Sequence, residues 1–555
     1  MAAFNLIPKE TVFIHFNDAL LLSGEYLYYS FFCLESQNLT PSPVSKIGYV
    51  TMLGKNNKLV FQQKIKLNHG AGQGDFFVPA DIPTGHYKLI GHTRWMQNQG
   101  QSSFFVDDLI IINPYQALPE AQASPSTGII SLSKADSLAE TDLSKETSDF
   151  RILLPKSTYG KRQRVRFTIE QLDRNIVGVL SISVRKKGTI TVPFQKTRAQ
   201  SFKSSKDTGF LKTNAIVSLP ELRGELISGR IMNTEDSTLV TDRDVSLSIP
   251  GNRGTVNISR SNDQGLFYFN LDRGYRSDQL ILDLIGEKNE QFDIQLTPSS
   301  IVPEFVDFKN VTLSQNLNRT LEQRSIRNQI ENAFFEQKAD SAIGSIYIPP
   351  AYKEFQERYT LDDYTRFTTL EETIVEIIED VVVRKRKDRY DLRIRGNNQF
   401  FIEASDQPLI LIDNILVQNT SRVFQYDIKK MEQINVSRKE FYIGPKKYQG
   451  VFSIQTKSGD YTVQNNNNGP FIYKIAGPIS KKTYFEQEYS KVPSKKETHT
   501  ADFRQQLLWL PQHKIKATET FEFFTSDNLG TYEISVEGFT ENGKPVSLLA
   551  QIQIE

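Results

Sequence analysis

Residues 408–459 read PLILIDNILVQNTSRVFQYDIKKMEQINVSRKEFYIGPKKYQGVFSIQTKSG. The apolar run Leu409 to Ile412 reads as a strand and stops at Asp413-Asn414, residue types that favour tight turns. A polar connection with short apolar stretches follows, then the strand-like Gln433-Ile434-Asn435-Val436. Tyr442-Ile443-Gly444 leads to a further strand, Gly450 to Lys457. Upstream, Thr368 or Thr369 can cap a helix. Each has a glutamate three residues on, the capping-box spacing, and Ile374, Ile377 and Ile378 give the helix its apolar face. Val381 to Arg384 and Tyr390 to Ile394 read as strands. Together these elements make a small α+β domain. Residues 314–340 have helical composition, with Ile326, Ile330, Phe334 and Phe335 at a spacing of three to four.

The 408–459 stretch closely resembles the plug domain of TonB-dependent outer-membrane receptors, especially those of Bacteroidota that import glycans and peptides. The matching positions are the turn Ile412-Asp413-Asn414, the strand Ile434 to Val436, and Tyr442, Gly444, Gly450, Val451, Ile454, Thr456, Lys457 and Gly459. In such receptors a barrel follows the plug. A transporter barrel of about 22 strands of ~10 residues needs more than ~220 residues of strand. Residues 460–555 show neither evenly spaced alternating segments nor aromatic girdles. The resemblance therefore implies a plug-like module used without a barrel of its own chain.

Outward from this stretch the chain reads as short strands between turn signals, rich in Tyr, Phe, Val, Ile and Thr. About seven strands between residues 8 and 115 fit an immunoglobulin-like sandwich. Leu22-Ser23-Gly24-Glu25 before a strand, and Gly74 to Pro79 with Pro83 to Leu89, resemble macroglobulin domains of the alpha-2-macroglobulin superfamily. Tyr159-Gly160-Lys161 before Arg164 to Ile169 repeats the turn-then-strand signature. Ile227 to Ile231, Val245 to Ile249, and Ser261 to Phe269 with its Asp263-Gln264-Gly265 hairpin turn resemble carboxypeptidase-regulatory-like (transthyretin-like) domains. Asp502 to Trp509, Phe521 to Asp527 and Gly530 to Gly538 resemble a macroglobulin domain that precedes a thioester domain.

The expected fold class is mainly β, with several macroglobulin-like and transthyretin-like sandwiches plus one plug-like α+β domain. The expected domains are a macroglobulin-like sandwich at 1–115, a linker at 116–147, a second macroglobulin-like domain at 148–222 and a carboxypeptidase-regulatory-like sandwich at 223–297. A helical connection with the plug-like domain follows at 298–465, and a C-terminal macroglobulin-like sandwich at 466–555. The linker is rich in Ala, Ser, Pro, Thr and Glu, and Gly128 to Leu132 within it can pair as a strand.

Composition bounds the partners. Lys plus Arg is 66 and Asp plus Glu is 65, so nothing points to nucleic acid or an anionic membrane. Cys33, the only cysteine, lies in the apolar Tyr28 to Leu34 and reads as a buried, inert thiol that can form no internal disulfide. It lacks the neighbours of a Gly-Cys-Gly-Glu-Gln thioester motif, which argues against covalent trapping of a protease. No run of 18 apolar residues occurs, so no membrane-spanning helix is expected. No signal peptide is visible, and Met1-Ala2-Ala3 reads as a start that replaces a removed leader.

Chemistry is sparse. The histidines are His15, His69, His86, His92, His499 and His513, and no two stand at metal-ligand spacing. His86 and His92 share one strand face but stand ~20 Å apart, too far to share an ion. The carboxylates Asp362-Asp363, Glu371-Glu372, Glu376 and Glu379-Asp380 read as a solvated helix face and favourable N-terminal helix charge. Arg384-Lys385-Arg386-Lys387-Asp388-Arg389 reads as an exposed edge strand, where basic side chains suppress pairing, or as a docking point for an acidic partner. Asn465 to Asn468 with Gly469-Pro470 reads as a loop.

No catalytic, cofactor-binding or metal-ligating residue is assigned, no cofactor is expected, and the chain is not expected to be an enzyme. The resemblances imply an exported scaffold at the periplasm or cell surface. Its partner would be an outer-membrane barrel or lipoprotein complex, and residues 384–394 and 116–147 are the candidate contact segments. An alternative is a glycan- or peptide-binding accessory of a TonB-dependent importer, which requires exposed aromatics near Tyr26-Tyr28-Tyr29 or Trp95. A further alternative is a thioester-less, protease-interacting macroglobulin relative with 116–147 as a bait-like loop.

Overall fold

Alternation of apolar and polar residues, broken by Gly, Asn and Asp turns, makes this chain mainly β, with three α-helices among the described residues. The computed structural model describes residues 7–116, 128–134, 149–173, 176–194, 196–202, 217–251, 253–272, 274–275, 277–286, 289–305, 307–343, 349–387, 389–396, 407–462, 470–489 and 500–555. His499, Asn465 to Gly469 and most of 116–147 lie outside them. The chain divides into two units. One comprises Met1–Arg223, Ser300–Gly344 and Pro478–Glu555; the other comprises Gly224–Ser299 and Ser345–Gly477.

The first unit holds two sandwiches. In the N-terminal one, Glu10–Phe16, Tyr26–Glu35 and Ala71–Phe77 form one sheet in that order. The facing sheet runs Leu20–Leu22, Phe105–Ile112, Gly85–His92, Ile47–Gly54, Lys58–Lys66. Glu10–Phe16 is buried along its whole length because the sheet is covered on both faces. One cover is its partner sheet, and the other is Phe539, whose ring packs 5.5 Å from Phe13 and 5.9 Å from Phe32. Cys33 is fully buried, and burial together with nearby Glu10 pushes its thiol up, so it is held protonated.

The second sandwich departs from the expected organisation. Residues 148–222 and 466–555 do not form two domains. Arg164–Gln171 pairs with Glu519–Phe524 in one sheet, and Gly178–Lys186 lies between Gly530–Thr540 and Gln506–Ile515 in the other. Neither half can close a core alone. Val165, Phe167 and Ile169 from one half and Phe521, Phe523, Ile534 and Val536 from the other fill the same interior. The expected strand in the linker forms as Ile129–Lys134, but it is paired on both edges, with Asn310–Leu313 and Ile190–Thr191.

The helix Asn318–Ala333 belongs to this unit rather than to a plug-like domain, and it does not dock by the expected face. Ile326 is 49% exposed and Phe335, just beyond the helix, is 48% exposed. Leu321 and Ser325 are buried instead, and polar residues fasten the helix. Asn328 donates to Ser23 O (3.2 Å), Asn332 to Gly24 O (2.9 Å), and Arg324 grips Glu25.

In the second unit, Leu266–Leu271, Glu225–Asn233 and Phe292–Thr297 face a sheet ordered Thr255–Arg260, Asp244–Ile249, Gln279–Ile285, Phe471–Lys474. The last strand comes from the stretch expected to open the C-terminal sandwich. The turn before Leu266 joins strands of facing sheets, so it is an arch rather than the expected hairpin. Residues 345–477 add a five-stranded sheet ordered Glu357–Thr360, Met431–Ile443, Lys446–Thr456, Leu409–Ile412, Ile415–Leu416.

Asp413 and Asn414 have φ of 48° and 66°, the primed-turn geometry expected of this pair between two antiparallel strands. The buried Asp413 carboxylate accepts from Thr456 N (2.9 Å), Thr456 Oγ1 (2.6 Å) and Tyr461 N (3.1 Å), pinning the end of the neighbouring strand. The helix Leu370–Ile377 is capped by Thr369, which accepts from Glu372 N, while the Glu372 carboxylate returns to Thr368 N and Oγ1. Among the described residues, no helix is long and apolar enough to cross a membrane.

Candidate binding cleft

The turn Ser23-Gly24-Glu25 in the first unit sets up a cleft. Beyond it the strand Tyr26–Glu35 begins, and strand periodicity places Tyr26 and Tyr28 on one face and Tyr29 on the other. Tyr29 is fully buried in the sandwich, as is Trp95. The expected exposed aromatics are therefore not found at Tyr29 or Trp95, and Tyr26 and Tyr28 are half-buried rather than exposed. Three distant segments complete the walls: Asn328 to Phe335, Tyr484-Phe485, and Phe503 to Trp509. The cleft is open to solvent and has a volume of ≈ 150 Å³.

Its aromatic wall is continuous. Tyr26 stacks on Tyr28 (5.6 Å, 14°) and on Phe335 (6.1 Å, 9°). Tyr28 stacks on Trp509 (6.0 Å, 29°) and meets Tyr484 edge-on (5.1 Å, 84°). The hydroxyls of Tyr26 and Tyr28 make no hydrogen bond among the described residues. Burial pushes both phenols up, so they stay protonated donors.

The charged groups around the cleft compensate one another. The Arg324 guanidinium binds Glu25 bidentately, with Nε to Oε1 and Nη2 to Oε2 both at 2.7 Å. Arg185 reaches Asp18 at 3.0 Å and Glu25 at 3.4 Å, and Gln505 donates to Glu25 at 3.0 Å. Burial would raise both carboxyls, but the two guanidiniums outweigh it and hold Asp18 and Glu25 below their ordinary values. Glu331 pairs with Lys338 at 2.6 Å. Asp502 is buried, yet Arg504 at 2.7 Å brings its carboxyl down to about 2.

The other sequence candidates are consumed structurally. His86 bonds Asp108 at 3.0 Å, and His513 bonds Glu519 at 2.9 Å. His92 bonds Ser300 at 2.9 Å, and burial lowers it to about 4. His15 Nδ1 stands 2.8 Å from Ser181 Oγ, but both residues are buried, and burial holds the imidazole neutral. No carboxylate bonds its other ring nitrogen, so this is no catalytic triad. Asp362 pairs with Arg366, and Asp380 with Arg438 and Arg395. Among the described residues, no group of three or more His, Cys, Asp or Glu side chains could hold a metal. The hairpin Val381–Arg386 with Arg389–Ile394 pairs with no other strand among the described residues, and Arg384, Lys385, Arg386 and Arg389 are exposed.

No protein-family model and no curated protein matches the chain. Among solved structures it is similar to Salmonella alpha-2-macroglobulin reacted with methylamine, at 9% identity over 99% of this chain and 40% of that one, with a TM-score of 0.24. It is similar to Escherichia coli alpha-2-macroglobulin activated by porcine elastase, at 8% identity over 98% of this chain and 44% of that one, with a TM-score of 0.24. Dimeric latent PorU from Porphyromonas gingivalis shares 10% identity over 55% of this chain and 34% of that one, with a TM-score of 0.16. The chain spans less than half of each of these proteins. Its similarity to the bacterial alpha-2-macroglobulins is remote, at a level that carries nothing about function.

Proposed function

We propose that this chain is a non-enzymatic, exported binding scaffold associated with an outer-membrane protein complex. Its sandwiches and its plug-like 345–477 fold serve as contact modules. The observation that carries this reading is the hairpin Val381–Ile394. Both its outer edges lack a strand partner among the described residues, and its tip is basic. An acidic segment added to that edge gains main-chain hydrogen bonds and charge complementarity together. The test is co-purification of the full chain, secreted with a leader, from gently solubilised envelopes. A stoichiometric set of outer-membrane proteins, lost in an Arg384→Glu/Lys385→Glu/Arg386→Glu variant, supports the reading. An envelope-located protein that co-purifies with nothing refutes it.

A second reading, a glycan- or peptide-binding accessory of a TonB-dependent importer, is favoured by a separate observation. The aromatic cleft at Tyr26 and Tyr28 is the feature such an accessory requires.

A further inference from the structure

The geometry points to the cleft at Tyr26, Tyr28 and Phe335 as a site for one ring of a neutral saccharide, an assignment that rests on the second reading above. Three features select this ligand class. The first is the open end of an aromatic stack. Phe335 lies within 9° of parallel to Tyr26 at the end of the Tyr28–Tyr26–Phe335 stack and is 48% exposed, so a C–H-rich ring face can lie against its free face. The second is a set of uncharged hydrogen-bonding groups left over by the fold. The amide N–H groups of Asn328 and Asn332 are committed to Ser23 O and Gly24 O, which leaves each Oδ1 without a donor among the described residues. The hydroxyls of Tyr26 and Tyr28 are likewise unpartnered, so acceptors and donors converge on one space, as sugar hydroxyls require.

The third feature is the internal neutrality of the charges. Glu25, Glu331 and Asp502 each already hold a cation, so an ionic ligand finds no unmatched counter-charge. A peptide strand is disfavoured as well. At the cleft, Tyr26 to Tyr28 pair with Asp75 to Phe77 on one side, and on the other Asn17 bonds Tyr26 O, Tyr28 N and Tyr28 O. On the edge strand Gln506–Ile515, Gln506 Nε2 covers Leu508 O and Ser30 Oγ covers Pro511 O. The space of ≈ 150 Å³ falls below the ~300–1,000 Å³ of sites for drug-sized ligands and suits a single ring.

The test is calorimetric titration of the full chain with maltohexaose, cellohexaose, xylohexaose and mannohexaose, against hexagalacturonate and hexa-alanine. Fluorescence of Trp509, which stacks on Tyr28, is followed in parallel. The expected result is saturable binding of at least one neutral oligosaccharide. Phe335→Ala should weaken it about tenfold and Tyr28→Phe about fivefold. Tyr28→Phe should leave the unfolding midpoint in place, because its hydroxyl has no partner to lose, and Phe335→Ala should lower it only slightly, because that ring is half exposed and gives up only its stack on Tyr26. Sugar binding that both variants leave unchanged overturns the cleft assignment while the second reading stands. Variant-sensitive binding of hexa-alanine or hexagalacturonate instead of neutral sugars overturns the ligand class. No saturation by ~20 mM, weaker than the millimolar range, overturns the assignment and the glycan arm of that reading together.

Discussion

Replacing Arg324 with Met isolates the value of the buried ionic cluster. The thioether keeps most of the arginine stem's packing and removes only the charge and its hydrogen bonds. In the native cluster two carboxylates, Asp18 and Glu25, face two guanidiniums, Arg185 and Arg324. Without Arg324, two negative charges share one cation. Removing one partner of a buried pair costs about 3–5 kcal/mol. The lower end applies here, about 3 kcal/mol, because Glu25 retains Gln505 Nε2 at 3.0 Å and Leu22 N at 3.2 Å.

Urea unfolding followed by tryptophan fluorescence measures this cost cleanly. The chain has two tryptophans, and Trp95 and Trp509 both lie in the first unit. Adding Glu25→Gln should give a double variant at least about 1 kcal/mol more stable than the sum of the single effects predicts. The cost should also depend on pH. Asp18 and Glu25 have folded pKa values below their unfolded ones. The stability they contribute is therefore full above about pH 5 and is lost as pH falls through the folded values. The difference between wild type and Arg324→Met must shrink in the same direction. A cost under about 1 kcal/mol at pH 7, typical of a solvent-exposed pair, would refute the argument.

Other perturbations probe the second unit, which has no tryptophan, so hydrogen exchange read by mass spectrometry is the measurement. Burial raises Asp283 to about 6, with Gln418 partly offsetting it, so its charge opposes folding at pH 7 and this penalty fades as pH drops towards 4. Asp283→Asn should stabilise the unit by about 1–2 kcal/mol at pH 7 and have no effect near pH 4. A gain that does not vary with pH would contradict this. Asp413→Ala removes the acceptor of three hydrogen bonds and should speed exchange across residues 446–456, equivalent to about 2–3 kcal/mol. Gly444→Ala should also destabilise this unit, because φ is +55° and an added Cβ would sit 1.9 Å from Ile258 O. Unchanged protection in either variant would count against the turn and close-approach arguments.

How far the sequence could be read depended on the distance over which each feature is specified. The Asp413-Asn414 turn, the Thr368-Thr369 cap, the strand at 129–132 and the inert Cys33 are set by near neighbours, and all were legible. The shared second sandwich was not, because Arg166 meets Glu522 across 356 residues and no local periodicity records a partner. The face of the helix Asn318–Ala333 was misread for a related reason. Its docking rests on Arg324, Asn328 and Asn332 bonding to a distant turn, so the apolar spacing of Ile326 and Phe335 marks the exposed side. At the cleft, the alternation that puts Tyr26 and Tyr28 on one strand face, away from the buried Tyr29, was visible. Phe335, Tyr484 and Trp509 reach the same space only through tertiary folding.

The shared sandwich also sets a timetable for synthesis. Gly178–Lys186 is a central strand, and Gln506, on one of the strands flanking it, is 322 residues away from Val184. At ~5–20 residues per second, the interval before that neighbour emerges is on the order of 15–60 s. Throughout that time Phe167, Ile182 and Val184 have no core to enter, and the strand presents two open edges of the kind that template aggregation. The N-terminal half therefore stays incomplete until the last strands arrive, and removal of those strands would undo residues 150–186 as surely as a lesion within them.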